Sequence, residues 1–206
     1  TSRLFVDRQF ATPSGKAQFI SSAAQLPKQS LNNAFPFSLN SGRIRDQWHT
    51  MTRTGHAERL LDHIDQPFVA MHPKTAGQLA LDEGDLARVS TAQGAVQLNV
   101  MFDAGLRSDQ LFVPIHWNDR FARQARIDTL VAPITDAISG QPEFKFTPAA
   151  VTKVELSQWA VCVTRNKLDC SQFINWSLSP LENEEGYLYW IAVSENYSWQ
   201  DFIAHK

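Results

Sequence analysis

The clearest alternation of apolar and polar positions spans residues 95–102. Val96, Leu98, Val100 and Phe102 fall on one side, and Gln97, Asn99 and Met101 on the other. A period of two predicts a strand with one buried face. Shorter apolar runs predict strands over residues 35–39, 68–71, 86–91 and 111–115, and residues 147–156 read as the strand that closes the sheet. Gln93-Gly94 supplies a hairpin turn before residues 95–102. Residues 73–81 read as a helix, with Pro73 in the first turn, Ala76, Leu79 and Ala80 on one face, and Asp82-Glu83-Gly84 as its end.

The flanks are less regular. Residues 3–6 and the stretch before Phe19 read as short extended runs around a Pro13-Ser14-Gly15 turn. Residues 21–34 form a polar connection, and residues 54–66 a turn with an irregular or short helical piece. Toward the other end, residues 159–163 and 187–193 are rich in aromatic and β-branched side chains and predict a strand pair. Residues 181–186 read as an acidic turn, and Ser198 as the cap of a helix start. The expected fold class is mainly β with short helices, in three parts: a lead-in over 1–34, a barrel over 35–156 and a truncated aromatic-rich extension over 157–206.

Composition narrows the chemistry. With 206 residues, 43% hydrophobic and 19% charged, the chain has material for a sizeable core. Its formal net charge of -2 argues against a general nucleic-acid binder, so any phosphate recognition must be local. No apolar run approaches the roughly 20 residues of a membrane helix. Cys162 and Cys170 are too few for an iron–sulfur cluster or a structural zinc, leave a disulfide open, and fit a reducing compartment. His56 and His63 lack partners at metal-site spacing and read as surface or hydrogen-bonded histidines. Thr1 in place of Met suggests a piece of a longer chain.

One stretch concentrates binding chemistry. Residues 40–53 bring Arg43, Arg45 and Arg53 together against only Asp46, with Gly42 for backbone freedom, Ser41, His49, Thr50 and Thr52 for hydrogen bonds, and Trp48 for a flat face. A polyanion carrying a planar ring would need such a set. A solvated basic loop with one anchoring Trp explains the same residues. His116-Trp117-Asn118-Asp119, directly after a predicted strand, is likewise open: it either caps the barrel or lines a site.

These residues also carry a resemblance. Ser41-Gly42-Arg43 followed by Trp48-His49-Thr50-x-Thr52-Arg53 resembles the pterin-dinucleotide-binding segment of the molybdenum oxidoreductases related to dimethyl sulfoxide reductase, which include nitrate reductases and formate dehydrogenases. The lead-in Thr12-Pro13-Ser14-Gly15-Lys16 is similar to the phrase that precedes the final domain of nitrate-reductase-type enzymes. The phrase from His72-Pro73 through Gly84-Asp85 to Val89 is similar to that of the double-psi β-barrel, which also occurs in unrelated functions. Leu130, Asp136, Ser139, Pro142, Phe144 and Lys145 match the family's later motif in register. Asp128 stands where the family has a cofactor-contacting Asn, and Ala137 where it has Pro. An ionised Asp only accepts hydrogen bonds, so it suits ring N–H groups and disfavours a phosphate neighbour.

The resemblance implies the fold of a formate dehydrogenase C-terminal domain and a role in holding molybdenum bis(molybdopterin guanine dinucleotide). It puts Ser41, Gly42 and Arg43 at the diphosphate or guanine end, Trp48, His49 and Thr50 at the pterin or its phosphates, and His116, Asp128, Gln141 and Lys145 on the far side. It implies no catalytic residue and no metal ligand in this chain, with iron–sulfur ligands in upstream domains and the isolated chain empty. The tail resembles that of cytoplasmic assimilatory nitrate reductases, so nitrate is the expected substrate of the whole enzyme, with an electron-donor protein left open and neither nucleic acid nor membrane as partner. The alternatives are a formate dehydrogenase-like molybdoenzyme and a stand-alone barrel that binds partners or small anions.

Overall fold

Six strands close into a barrel in the computed structural model, which describes residues 3–21, 23–181, 186–193 and 197–204. They are β1 (Phe37–Gly42), β2 (Phe68–Met71), β3 (Leu86–Ser90), β4 (Ala95–Phe102), β5 (Gln110–Pro114) and β6 (Thr147–Lys153). Around the barrel the order is β1-β5-β2-β4-β3-β6. The pairs β1–β5 and β2–β4 are parallel and the rest antiparallel, a topology of the double-psi type.

Alternation fills the interior. Val96, Leu98 and Val100 of β4 point inward beside Val69, Val89, Leu111, Val113 and Val151, all nearly inaccessible. Burying each such side chain contributes about 1.5–3 kcal/mol. Phe102, expected on the same side, stands at the end of β4 and is 38% exposed, beyond the reach of the core.

The first strand differs from expectation in a way that matters for the site. It begins at Phe37 and runs on through Asn40 and Ser41 to Gly42, because the parallel ladder with β5 continues to Gly42 opposite Pro114. The helix α1 (Pro73–Gln78) starts as expected with Pro73, capped by His72 Nδ1, which accepts the Lys74 N–H at 3.0 Å. It ends earlier than residue 81. Ala80 takes a left-handed φ of 53°, and the Leu81 N–H reaches back to the Ala76 carbonyl at 2.9 Å. That turn delivers Leu81 into the core.

Residues 3–6 are not extended. Phe5 and Arg8 both have φ of 59°, and Phe5 stacks on Phe10 at 4.7 Å. The Thr12–Gly15 turn is present, with Gly15 at φ 66°. Residues 54–66 contain two single-turn helices, Thr54–His56 and Glu58–Leu60.

The C-terminal region holds a three-stranded antiparallel sheet and not the expected pair. Its strands are β7 (Gln158–Thr164), β8 (Asn175–Pro180) and β9 (Tyr187–Val193), in the order β7-β9-β8. β8 is hidden in the sequence because Asn175, Ser177 and Ser179 occupy one of its faces. That polar face turns toward the barrel, where Asn175 Nδ2 donates to Gln97 Oε1 at 3.0 Å. Nearby, Trp190 Nε1 of β9 donates to Asp65 Oδ2 at 2.8 Å. The opposite face builds a second core around Phe173, Leu178, Tyr189 and Ile191. Helix α2 (Trp199–Ala204) follows Ser198, as expected. The acidic turn at 181–186 lies mostly outside the described residues, which omit 182–185. Cys162 and Cys170 are half-buried and not joined in a disulfide. Among the described residues no helix is long and apolar enough to cross a membrane.

Candidate functional site

Strands β1 and β5 run side by side and in the same direction, so their C-terminal ends open at one rim of the barrel. The segments leaving that rim enclose a groove of about 390 Å³. Ser41, Gly42 and Arg43 line it from β1, and Ile115, Trp117 and Asn118 from the segment after β5. The single-turn helix Ile127–Leu130 adds Ile127 and Asp128, and Phe144 and Lys145 complete the wall just before β6. Thr50, Arg126 and Val131 fill the margins.

Charge in the groove is uneven. Arg43, Arg126 and Lys145 stand against Asp128 alone. Arg126 lies between Asp119 and Asp128, at 3.6 and 3.5 Å, in exposed contacts that bind it weakly. Arg43 sits 5.7 Å from the centre of the Trp48 ring. The lower wall is apolar, from Ile115, Ile127, Val131 and Phe144. Trp117 is buried there, and its indole N–H has no hydrogen-bond partner among the described residues. Cations above an apolar wall with a spare donor suit an anion attached to a ring system.

Gly42 is required here by close approach, not by an unusual φ. A Cβ at this position would fall 2.6 Å from the Phe112 ring and 3.7 Å from Lys145 Nζ.

Six of the ten residues selected from the sequence meet in this groove: Ser41, Gly42, Arg43, Thr50, Asp128 and Lys145. Ser41 is 3% exposed, and its hydroxyl already donates to the Phe144 carbonyl at 2.9 Å. The other four lie outside the lining. Trp48 is 57% exposed and packs edge-on against His49 beside the groove. Gln141 sits in an exposed turn, where its carbonyl accepts the Asp136 N–H at 2.9 Å. Asp136 itself accepts three bonds from Ile138 and Ser139. The Ser139 bonds foremost hold its carboxyl below the usual carboxylate range. The matched positions 136 and 139 therefore shape a turn.

His116 is completely buried and does not face the groove. Its Nδ1 lies 2.6 Å from the His49 carbonyl, and its Nε2 accepts the Ile44 N–H at 3.0 Å. Burial pushes its pKa below the usual histidine value, and Arg43 adds to that.

The basic loop does not act as one unit. Arg45 turns away to Asp46 at 2.9 Å, and its guanidinium holds the Asp46 carboxyl below the usual range. His63 joins the same pair at 2.9 Å, an ordinary hydrogen-bonded histidine as expected. The loop is anchored by Gln47 and Met51, both buried, and not by Trp48. Gln47 bonds the Leu60 carbonyl and the Thr54 hydroxyl, each at 2.7 Å. Arg126 completes the groove's charge, yet no motif marked it; its place two residues before Asp128 was the available signal.

A larger cleft, about 490 Å³, lies between the barrel and the C-terminal sheet. Among the described residues Glu83 and Asp85 are its only charged side chains, so it would repel a phosphate. The rim groove is the better candidate on chemistry.

A family model described as molydopterin dinucleotide binding domain matches residues 37–148. A nitrate reductase from Klebsiella oxytoca is 47% identical over 137 residues, which cover 66% of this chain and 16% of that protein. The assimilatory nitrate reductase catalytic subunit of Bacillus subtilis (strain 168) is 27% identical over 147 residues, 70% of this chain and 20% of that protein. Among solved structures, acetylene hydratase from Pelobacter acetylenicus superposes with a TM-score of 0.58 at 20% identity, covering 71% of this chain and 24% of that one, a likeness of fold. The chain spans 16–22% of the length of the curated relatives it matches.

Proposed function

The chain belongs to the molybdopterin dinucleotide-binding domain family, and from that premise we propose that it is the C-terminal domain of an assimilatory nitrate reductase catalytic subunit. The observation that carries this reading is the rim groove, in which Arg43, Lys145 and Arg126 converge within the family-matched region. The 47% identity to the Klebsiella nitrate reductase favours nitrate over formate as the substrate of the whole enzyme.

The residues fit the group. Arg43 can take phosphate oxygens with its planar fork, and Lys145, whose ammonium lies beside Ser41 and Gly42, can add a point charge. Gly42, with no Cβ, lets β1 close against the Phe112 ring and keeps the Lys145 ammonium beside the rim. Asp128 accepts ring N–H groups of a pterin or guanine, where an Asn would accept and donate. Thr50 supplies a hydroxyl, and the exposed face of Trp48 supplies stacking area at the margin. The unpartnered N–H of Trp117 is a further donor at the base. When bound, molybdenum bis(molybdopterin guanine dinucleotide) supplies the two-electron chemistry that turns nitrate into nitrite. This domain neutralises its charge, orients it and excludes water, with no catalytic residue of its own.

A groove of 390 Å³ is small for a whole pterin dinucleotide. Upstream domains of the same chain would form the other wall and carry the metal ligand and the iron–sulfur cluster. In this reading the division into 1–34, 35–156 and 157–206 separates a lead-in, the cofactor barrel and an extension. The enzyme works in the cytoplasm with a separate electron donor.

The test uses the full-length protein. Molybdenum, released guanine nucleotide and nitrate-dependent oxidation of a reduced dye are measured together, beside an Arg43→Ala variant. All three are expected in the wild type, with nucleotide content falling in the variant. Metal and nucleotide with formate turnover in place of nitrate would move the substrate. Full nucleotide content in Arg43→Ala would overturn the groove.

A further inference from the structure

His116 is a buried imidazole that touches no solvent, and it grips the groove loop at two points. The chemistry of its partners fixes its form. An amide N–H can only donate, so Nε2, which meets the Ile44 N–H at 3.0 Å, carries no proton. A carbonyl can only accept, so Nδ1, 2.6 Å from the His49 oxygen, carries one. Two residues on, Asn118 Nδ2 donates to the next carbonyl, that of Thr50, at 2.8 Å, while its Oδ1 accepts the Arg120 N–H at 2.9 Å.

The loop needs this support. His49 and Met51 have left-handed φ of 45° and 59° without being glycine, a conformation that costs roughly 1–2 kcal/mol per residue. The gripped residues also flank the groove. Ile44 follows Arg43, and His49 precedes Thr50; both neighbours line the groove.

We propose that His116 is a positioning residue whose neutral imidazole clamps Ile44 to His49 and thereby makes nucleotide retention in the groove dependent on pH. The proposal rests on the cofactor reading above. Protonation would put a second donor, Nε2–H, against the Ile44 N–H and would bury a charge beside Arg43. The titratable and charged groups acting on the ring are Arg43 and His49, and neither is a carboxylate that could compensate. The charged ring must therefore leave its seat, which frees the backbone of residues 44–49 and, with it, Arg43.

His116→Gln provides the test, since a carboxamide offers one donor and one acceptor and does not titrate in this range. Full-length wild type and variant are moved from pH 7.5 to lower pH. Guanine nucleotide retained is measured, together with amide-exchange protection of residues 44–51, corrected for intrinsic exchange and compared with β4. In the wild type, each pH unit below the ordinary histidine value of about 6.5 should lower loop protection by about tenfold until the loop is open, with retention falling as it opens and β4 protection unchanged. In His116→Gln both profiles should be flat. A variant that follows the wild-type profile overturns the proposal, as does a wild-type loop whose protection ignores pH; the second result needs no variant to fold. Absence of guanine nucleotide from the wild type at every pH would remove the cofactor reading, while loop protection would still decide the role of His116.

Discussion

The ammonium of Lys145 donates to the carbonyl of Ser41, which returns its own hydroxyl and amide to the carbonyl of Phe144, at 2.9 and 3.2 Å. The end of β1 and the turn before β6 are thus laced together in the groove wall. Lys145 ties the wall and, in the proposed function, also meets the ligand, so Lys145→Met should do two things. Loss of the tie should lower stability by about 1 kcal/mol, read as a lower urea midpoint. Loss of the charge should lower guanine nucleotide content in the full-length protein further than the stability change explains. Unchanged nucleotide content would mean that Lys145 only laces the wall.

Gly94 ends the β3–β4 hairpin, but the reason for glycine lies across the barrel. A Cβ there would stand 2.8 Å from the Thr129 carbonyl, a backbone atom that cannot swing aside. Thr129 belongs to the single-turn helix that carries Asp128, and Thr91 of the same hairpin bonds the Leu130 carbonyl at 2.9 Å. Gly94→Ala should cost about 1–3 kcal/mol by overpacking and should push Asp128 outward. Chemical shifts confined to residues 91–96 with none at 127–130 would contradict this coupling.

That hairpin also shows what was legible in the chain. Strands β2 to β5 and the start of α1 were readable because their signals are local: alternation, Pro73 at the first helical turn, and short apolar runs. β8 was not, because its polar face is covered by a barrel that lies far off in sequence: Asn175 and Ser179 bond to Gln97 and the Asp65 carbonyl, and Ser177 is buried between them. The same distance hid the role of His116. Its residue type suggested a ligand contact, while its partners are backbone groups 72 and 67 positions away. Arg43, Lys145 and Asp128, the last standing where the family motif has Asn, come from distant parts of the chain to line one groove. For Trp48 the expected anchor is Gln47 instead, since an exposed indole leaves anchoring to the buried neighbour.

Ala80 offers a gain in stability. It closes α1 at φ 53° and is exposed, with the Leu81 N–H bonded to the Ala76 carbonyl. Glycine is the residue that adopts this conformation without a Cβ clash. Ala80→Gly should raise stability by about 0.5–1 kcal/mol, the left-handed strain removed less the extra freedom of the unfolded chain. A lower denaturation midpoint would show that the strain is already relieved elsewhere.

Acid stability should depend on His116 in a direction that its surroundings fix. Burial and Arg43 lower its pKa in the folded state, so the fold favours the neutral ring. A group of this kind contributes its full stabilisation above its unfolded value, about 6.5, and loses it as the pH falls through the folded value. Unfolding free energy should therefore decline below about pH 6.5, where the unfolded chain takes up a proton that the folded chain resists. Carboxylates such as Asp46 and Asp136, also lowered in the fold, add their own loss at lower pH, below the usual carboxylate range. The two contributions separate by window. Replacing His116 with Gln removes the earlier decline and leaves the later one, so the difference between the two urea-midpoint profiles isolates the histidine. A difference that does not change between pH 7 and pH 5 would show that the imidazole takes up its proton in place, without the conflict that the Ile44 N–H and the nearby Arg43 impose.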